Sequence, residues 1–181
     1  SQLAEDCDDL AVLDGTAESI PMADGSCAAV TVAQAFHWFD EQPALAEIHR
    51  VLVPDGVLLM VWNVRDESVR WVRRWTDVVN TMSGGRPYSD HRERPWAEVV
   101  AASGRFTPLQ SRRVRSDFRT TPAAVVERTL STSFVAALDD EPRQAVLDAV
   151  AGILADDEDT AGRASFVFPN MTDIHWCRRL D

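Results

Sequence analysis

The sequence predicts an α/β fold in which helices cover both faces of a mostly parallel sheet. Apolar runs without polar alternation lie at residues 10–13, 28–33 and 57–62, and such runs are typical of parallel strands buried on both faces. Between the second and third runs, residues 41–52 carry apolar side chains at helical spacing. Strand, helix and strand joined by such short turns predict right-handed crossovers on one parallel sheet.

The rest of the chain predicts four more helices and a closing pair of strands in a single domain over residues 1–181. The helices are expected at 66–82, 96–102, 122–134 and 142–154. A strand is expected within 106–118. The last strands are expected at 164–168 and 171–178, with one long strand broken at Pro169 as the alternative. The last two helices each have a proline near the first turn, where proline is tolerated.

Charge and composition exclude several classes of partner. The chain of 181 residues has a net charge of −11 and a pI of about 4.7, so its surface repels nucleic acids and anionic membranes. Arginines cluster at residues 70–74 and 112–115; we interpret them as solvated faces, with an anion site as the alternative. No apolar run reaches the roughly 20 residues of a membrane helix, and no signal peptide is visible.

The three cysteines, Cys7, Cys27 and Cys177, have no close spacing. This pattern predicts neither a disulfide framework nor a metal site, and it is typical of proteins in the reducing cytoplasm. We therefore expect a cytoplasmic protein.

Three sequence elements together resemble a known enzyme family. Residues 14–39 read DGTAESIPMADGSCAAVTVAQAFHWF, residues 50–56 read RVLVPDG, and residues 174–178 read IHWCR. In this order and spacing they resemble the class I S-adenosylmethionine-dependent methyltransferases, especially the methyltransferase type 11 branch that includes trans-aconitate methyltransferase-like proteins. The resemblance implies a Rossmann-like three-layer αβα fold whose mostly parallel sheet ends in an antiparallel C-terminal hairpin. It also implies methyl transfer from S-adenosylmethionine to a small molecule by in-line displacement.

The resemblance also implies roles for residues of the 15–40 segment. Cofactor-binding positions match Gly15, Thr16, Ala17, Glu18, Gln34, Ala35 and Phe36. His37 and Trp38 match the mouth of the substrate pocket, and His37 is the candidate base for a hydroxyl or amine acceptor, whereas a carboxylate acceptor needs no base. Both loops leave the carboxyl ends of predicted parallel strands, so they are expected to face one crevice.

Each assignment has a structural alternative. Residues 16–18 could form only a polar turn, Phe36, Trp38 and Phe39 could form a hydrophobic plug, and His37 could be structural. His49, His91 and His175 are expected at the surface or in packing. For Trp71, Trp75 and Trp96 a substrate lid or insertion within 66–104 and simple packing both stay open, as they do for Tyr88 and His91.

Two family elements have no counterpart in the 181 residues. They are the Gly-rich loop after the first strand and the acidic residue after the second. We therefore expect an N-terminally truncated domain without its first two strands, and a homodimer formed through the exposed edge of the sheet. The alternative hypothesis is a catalytically degenerate methyltransferase-fold module for binding or dimerisation.

Overall fold

A computed structural model describes residues 10–82 and 94–181. Cys7, Tyr88, His91 and the glycines that were predicted to follow the helix over 66–82 lie outside these residues. The described chain divides into two compact units. The first contains residues 10–61, 95–111 and 174–181, and the second contains residues 62–82, 94 and 112–173.

Six strands are present in the described part of the chain. They are β1 (Cys27–Ala33), β2 (Leu52–Arg65), β3 (Gln110–Arg115), β4 (Phe118–Thr120), β5 (Phe166–Phe168) and β6 (Asn170–Arg178). Four of them form one sheet in the order β1-β2-β6-β3, and β4 pairs with β5 in a second sheet.

The main sheet is mixed. β1 and β2 run parallel, with Val30 opposite Leu58. β6 runs antiparallel to β2. The Asp66 N–H, just after β2, donates to the Pro169 carbonyl, just before β6, and Thr172 inside β6 bonds Asn63 inside β2. The α/β fold is confirmed, and the described strands contain a parallel pair beside antiparallel ones.

Six α-helices and a short 3-10 helix at Phe36–Trp38 accompany these strands in the described residues. The α-helices are α1 (Glu41–Val51), α2 (Arg70–Met82), α3 (Trp96–Ser103), α4 (Pro122–Leu130), α5 (Ser133–Ala136) and α6 (Asp140–Asp156). All the predicted helical regions are confirmed. The predicted helix over 122–134 is divided, because the hydroxyls of Ser131 and Thr132 both bond the Arg128 carbonyl and compete with the helical pattern.

The core of the second unit is rich in aromatic side chains. Trp71 and Trp75 of α2 are fully buried and pack edge-on against Phe168. α2 also packs on α6. The Trp75 indole N–H donates to the hydroxyl of buried Thr129 at 2.9 Å, so these two polar groups are paired inside the core.

Two predicted strands behave differently in the structure. Residues 10–13 form no strand, and Leu10, Val12 and Leu13 are 47%, 75% and 54% exposed. β1 forms as predicted and pairs with β2, but four of its seven residues are exposed, and it is the last strand on its side of the described sheet. An apolar run alone therefore predicts neither that a strand forms nor that its side chains are covered.

The predicted C-terminal hairpin is also corrected. β5 pairs with β4, where Phe166 lies opposite Thr120. β6 is antiparallel to β3 instead of to β5, with the Ser116 N–H, just after β3, bonded to the Asn170 carbonyl. Long-range pairing of this kind leaves no local pattern in the sequence.

Candidate functional site

The two loops of the 15–40 segment lie next to each other in the first unit. Thr16 and Ser19 exchange two backbone hydrogen bonds of 3.3 and 3.2 Å and close a tight turn. The Glu18 Oε1 atom accepts the Asp40 backbone N–H at 3.1 Å. This bond holds the first loop against the residue that caps α1, directly after the second loop. That the two loops face one crevice stays a prediction.

The Glu18 carboxylate is stabilised by backbone donors. Its own N–H and then the N–H of Asp40 lower the pKa of Glu18 below its usual value. The side chain therefore stays ionised at neutral pH and accepts hydrogen bonds from the turn.

Gly15 is required for space. A Cβ atom there would lie 2.6 Å from Pro21 Cδ and 3.0 Å from the Ser19 carbonyl oxygen. The tight turn can close only because the chain approaches itself across a residue without a side chain.

A clamp that was not predicted holds the rest of the first loop. Arg50 of α1 donates to the carbonyls of Ile20 and Met22, each at 2.9 Å, and to Asp24 at 2.5 Å. Glu47, one turn earlier, accepts from Arg50 and also from the Ile20 N–H at 2.8 Å. Glu47 and Arg50 carry opposite charges and lie three residues apart on one helix, a spacing that could have predicted their ion pair.

The clamp fixes the charge states of both partners. The hydrogen bond from Arg50 is the main reason that the pKa of Glu47 falls to about 2. The hydrogen bond to Glu47 in turn raises the pKa of Arg50. The pair remains ionised from neutral pH down into the acid range.

The second loop begins where β1 ends. The Gln34 N–H donates to the Val61 carbonyl at 2.9 Å, and Gln34 then takes a left-handed backbone conformation with φ of 56°. This conformation is uncommon for a residue other than glycine. It turns the chain out of the sheet and exposes the Gln34 residue at the carboxyl end of β1.

Phe36 anchors this loop in the core of the first unit. Its side chain is completely buried and meets Trp96 and Phe39 edge-on, with ring centroids 5.5 and 5.7 Å apart. Only the backbone of Phe36 could therefore contact a ligand. Its side chain packs as a hydrophobic plug, which was the structural alternative for this residue. Trp96 acts here as a packing residue.

His37 and Trp38 form the outer part of the loop. Their ring centroids lie 5.0 Å apart at an interplanar angle of 40°. Trp38 is 59% exposed, whereas Ala35 and His37 are half-buried. An exposed tryptophan beside a histidine offers an apolar face and a titratable nitrogen to a ligand.

The other predicted histidines and tryptophans have packing roles. His49 Nε2 lies 2.9 Å from the Leu180 carbonyl oxygen, and its ring packs edge-on against Phe106. His175 Nδ1 lies 2.7 Å from the Ser111 hydroxyl. Trp71 and Trp75 lie in the core of the second unit, so the packing alternative holds for both.

Within residues 10–82 and 94–181, no helix is both long and apolar enough to cross a membrane. Those residues also bring together no group of three or more His, Cys, Asp or Glu side chains that could hold a metal ion.

Comparisons with known proteins agree with this geometry. The model of the methyltransferase domain family matches residues 1–60. An uncharacterized methyltransferase of Mycobacterium tuberculosis is 36% identical over 158 residues, which cover 87% of this chain and 61% of that protein. The chain therefore spans about three fifths of the length of that relative.

Two further proteins add to the comparison. An uncharacterized methyltransferase of Schizosaccharomyces pombe is 45% identical over 71 residues, 39% of this chain and 28% of that protein. A structure assigned as a type II methyltransferase from Anaeromyxobacter dehalogenans aligns with this chain at 20% identity and a TM-score of 0.54. The alignment covers 91% of this chain and 68% of the Anaeromyxobacter chain. This alignment supports the Rossmann-like fold. By sequence the chain is similar to methyltransferases over most of its length, and its Rossmann-like fold is that of class I S-adenosylmethionine-dependent methyltransferases.

Proposed function

We propose that the protein transfers a methyl group from S-adenosylmethionine to a small molecule. The observation that carries this proposal is the Glu18–Asp40 hydrogen bond, which brings the two loops with family cofactor positions together at the end of β1. Ligands of open parallel sheets bind at such carboxyl ends.

The residues present fit one side of the cofactor. Thr16, Ala17 and Glu18 form a tight turn that offers backbone groups to an adenine edge, and Met22, 37% exposed, supplies apolar surface close by. The exposed Gln34 carboxamide both donates and accepts hydrogen bonds, as a methionine moiety requires. The Gly-rich and acidic elements for its carboxylate and ribose are not among the 181 residues.

S-adenosylmethionine supplies an electrophilic methyl group when it is bound. The task of the chain is then to hold an acceptor in line with that group and to exclude water, which lowers the barrier through orientation. Exposed Trp38 would pack on the acceptor. His37 would take the proton of a hydroxyl or amine acceptor, whereas a carboxylate acceptor would leave it a positioning role.

Calorimetric titration of the protein with S-adenosylmethionine and S-adenosylhomocysteine tests the proposal. Wild type should bind both ligands. E18A should bind about tenfold more weakly because the turn loses its link to residue 40, while E127A, a matched change at an exposed helical position, should not. Absence of binding of both ligands would overturn the proposal.

A second function is favoured by the apolar surface of the first unit. Leu10, Val12 and Leu13 are exposed, and β1 ends the described sheet. We propose that a second copy of the chain pairs along this edge. Such a dimer is compatible with an active enzyme and with a catalytically degenerate binding module. Light scattering after size exclusion should give twice the chain mass, and a monomer at all concentrations would refute pairing.

The cytoplasm is the proposed location. Cys27 and Cys177 are free thiols, and unpaired cysteines are typical of reducing compartments. Detection of the protein in a cytosolic fraction would support this, and recovery from an oxidising compartment would contradict it.

A further inference from the structure

A groove in the second unit carries an unusual concentration of positive charge. It has a volume of about 310 Å³ and is lined by three arginines, Arg115, Arg119 and Arg163, with Asp159 as the carboxylate among its lining residues. The volume lies at the lower end of the roughly 300–1,000 Å³ range of small-molecule sites. The lining therefore carries three positive charges and one negative charge, whereas the whole chain has a net charge of −11.

Two of the three guanidinium groups have no acidic partner among the described residues. Arg119 donates to the Ser165 hydroxyl at 3.0 Å, and the Arg163 side chain donates to the Glu158 carbonyl at 3.3 Å. Arg115 differs, because it pairs with Asp117 at 2.6 Å. Since a guanidinium has five N–H donors, Arg119 and Arg163 retain most of their donor capacity.

Local structure positions Arg119 beside the groove. Arg119 lies on β4 directly opposite Val167 of β5, and its side chain reaches Ser165 in the segment before β5. The antiparallel ladder therefore fixes the backbone from which the guanidinium projects. A donor that is already in place loses less entropy when it binds a ligand.

Apart from Ser165, the rest of the lining is apolar. Trp71 and Phe166 are buried and meet edge-on, with ring centroids 5.5 Å apart, and they form part of the wall. In the same lining Val69 is half-buried and Val167 is 47% exposed. Arginine donors above an apolar wall suit a ligand with a charged end and an apolar body.

We propose that this groove binds a small organic anion, a carboxylate or a phosphate monoester. The anionic oxygens lie between Arg119 and Arg163, and the apolar body contacts Val69 and Val167. Planar guanidinium groups bind both kinds of oxyanion through paired N–H donors. The site is built from the second unit alone, so the proposal does not depend on the methyltransferase function.

Calorimetric titration of the 181-residue chain with four probes tests the site. Benzoate and phenyl phosphate carry the charged end and an apolar ring, benzamide carries the ring without the charge, and inorganic phosphate carries the charge without the ring. At least one ring-bearing anion should bind with one-site stoichiometry and more tightly than inorganic phosphate. Benzamide should bind at least tenfold more weakly than the better anion.

Variants separate the groove from general charge effects. R119Q and R163Q should each weaken binding of the preferred anion about tenfold, which is the loss of a charge-assisted hydrogen bond. R112Q removes the same charge from an exposed residue outside the lining and should leave binding unchanged. Thermal melts should show that all three variants remain folded.

Several results would overturn the site. They are no binding of either ring-bearing anion, equal binding of benzamide, equal weakening by R112Q, and unchanged binding in both R119Q and R163Q. The ratio of benzoate to phenyl phosphate affinity identifies the preferred oxyanion. Failure here would leave the methyl-transfer proposal intact, because the S-adenosylmethionine titration tests residues of the other unit.

Discussion

Replacement of Thr129 by valine tests how the second unit is stabilised. Trp75 and Thr129 are both completely buried, and the indole N–H donates to the threonine hydroxyl at 2.9 Å. Valine has nearly the same shape as threonine, so T129V removes the acceptor without opening a large cavity. The indole N–H is then left buried without that partner.

The expected cost follows from burial. An unsatisfied buried donor costs about 1–3 kcal/mol, so we expect T129V to lower the free energy of unfolding by about 2 kcal/mol. For a chain of this size that corresponds to a Tm lower by roughly 4–8 °C. T129S keeps the hydroxyl and loses one methyl group, so it should cost less, about 1 kcal/mol.

Urea denaturation followed by tryptophan fluorescence measures these values. The double variant W75F/T129V provides the decisive comparison, because phenylalanine has no N–H to leave unpaired. T129V should therefore cost clearly less in the W75F background than in wild type. T31V on the exposed face of β1 is the matched control and should change stability little. Equal costs of T129V in both backgrounds would refute the role of the hydrogen bond.

Three further predictions concern pH, space and reactivity. The pKa of Glu47 falls from 4.5 when unpaired to about 2 in the fold, so its contribution to stability is complete above pH 4.5 and is lost as the pH falls towards 2. Urea denaturation at several pH values in this range should show that the free energy of unfolding falls less steeply with decreasing pH in E47Q than in wild type. The same dependence on pH in both proteins would contradict the clamp with Arg50. G15A should destabilise the protein by about 1–3 kcal/mol, since the new Cβ overlaps Pro21; an unchanged Tm would show that the turn adapts freely. Burial raises the pKa of the Cys177 thiol to about 12, so a thiol reagent should modify Cys177 only in urea, and peptide mapping that finds it labelled in the native protein would disprove its burial.

Local periodicity explains which elements could be predicted. α1 was predicted because Ala44, Leu45, Ile48 and Val51 fall on one helical face, and all four are buried. The pairing of β4 with β5 could not be predicted, because strand partners are separated by more than 40 residues and pairing depends on tertiary contacts. The break after α4 depends on two hydroxyls that compete with the helix, an effect weaker than the apolar pattern around it.

Some features of the candidate site could be predicted from the sequence, and others could not. The positions from Gly15 to Glu18 and from Gln34 to Trp38 were proposed from the family resemblance and from an expected strand at residues 10–13. That strand does not form, and a hydrogen bond from the Asp40 N–H to Glu18 links the two segments instead. Their contact with the cofactor stays a prediction. The side-chain clamp from Arg50 was missed because its acceptors are mostly backbone carbonyls of Ile20 and Met22, which any sequence would supply. The groove was missed because Arg119 and Arg163 are distant along the chain.

The clamp of Arg50 and Glu47 has a consequence for protein engineering. The conformation of residues 20–24 is dictated by a helix that begins some 20 positions later, instead of by the loop's own residues. A chimaera that receives this loop from a relative will adopt the donor's loop conformation only if both helical side chains are compatible with it. The unit of exchange in designing new specificities is therefore the loop together with α1.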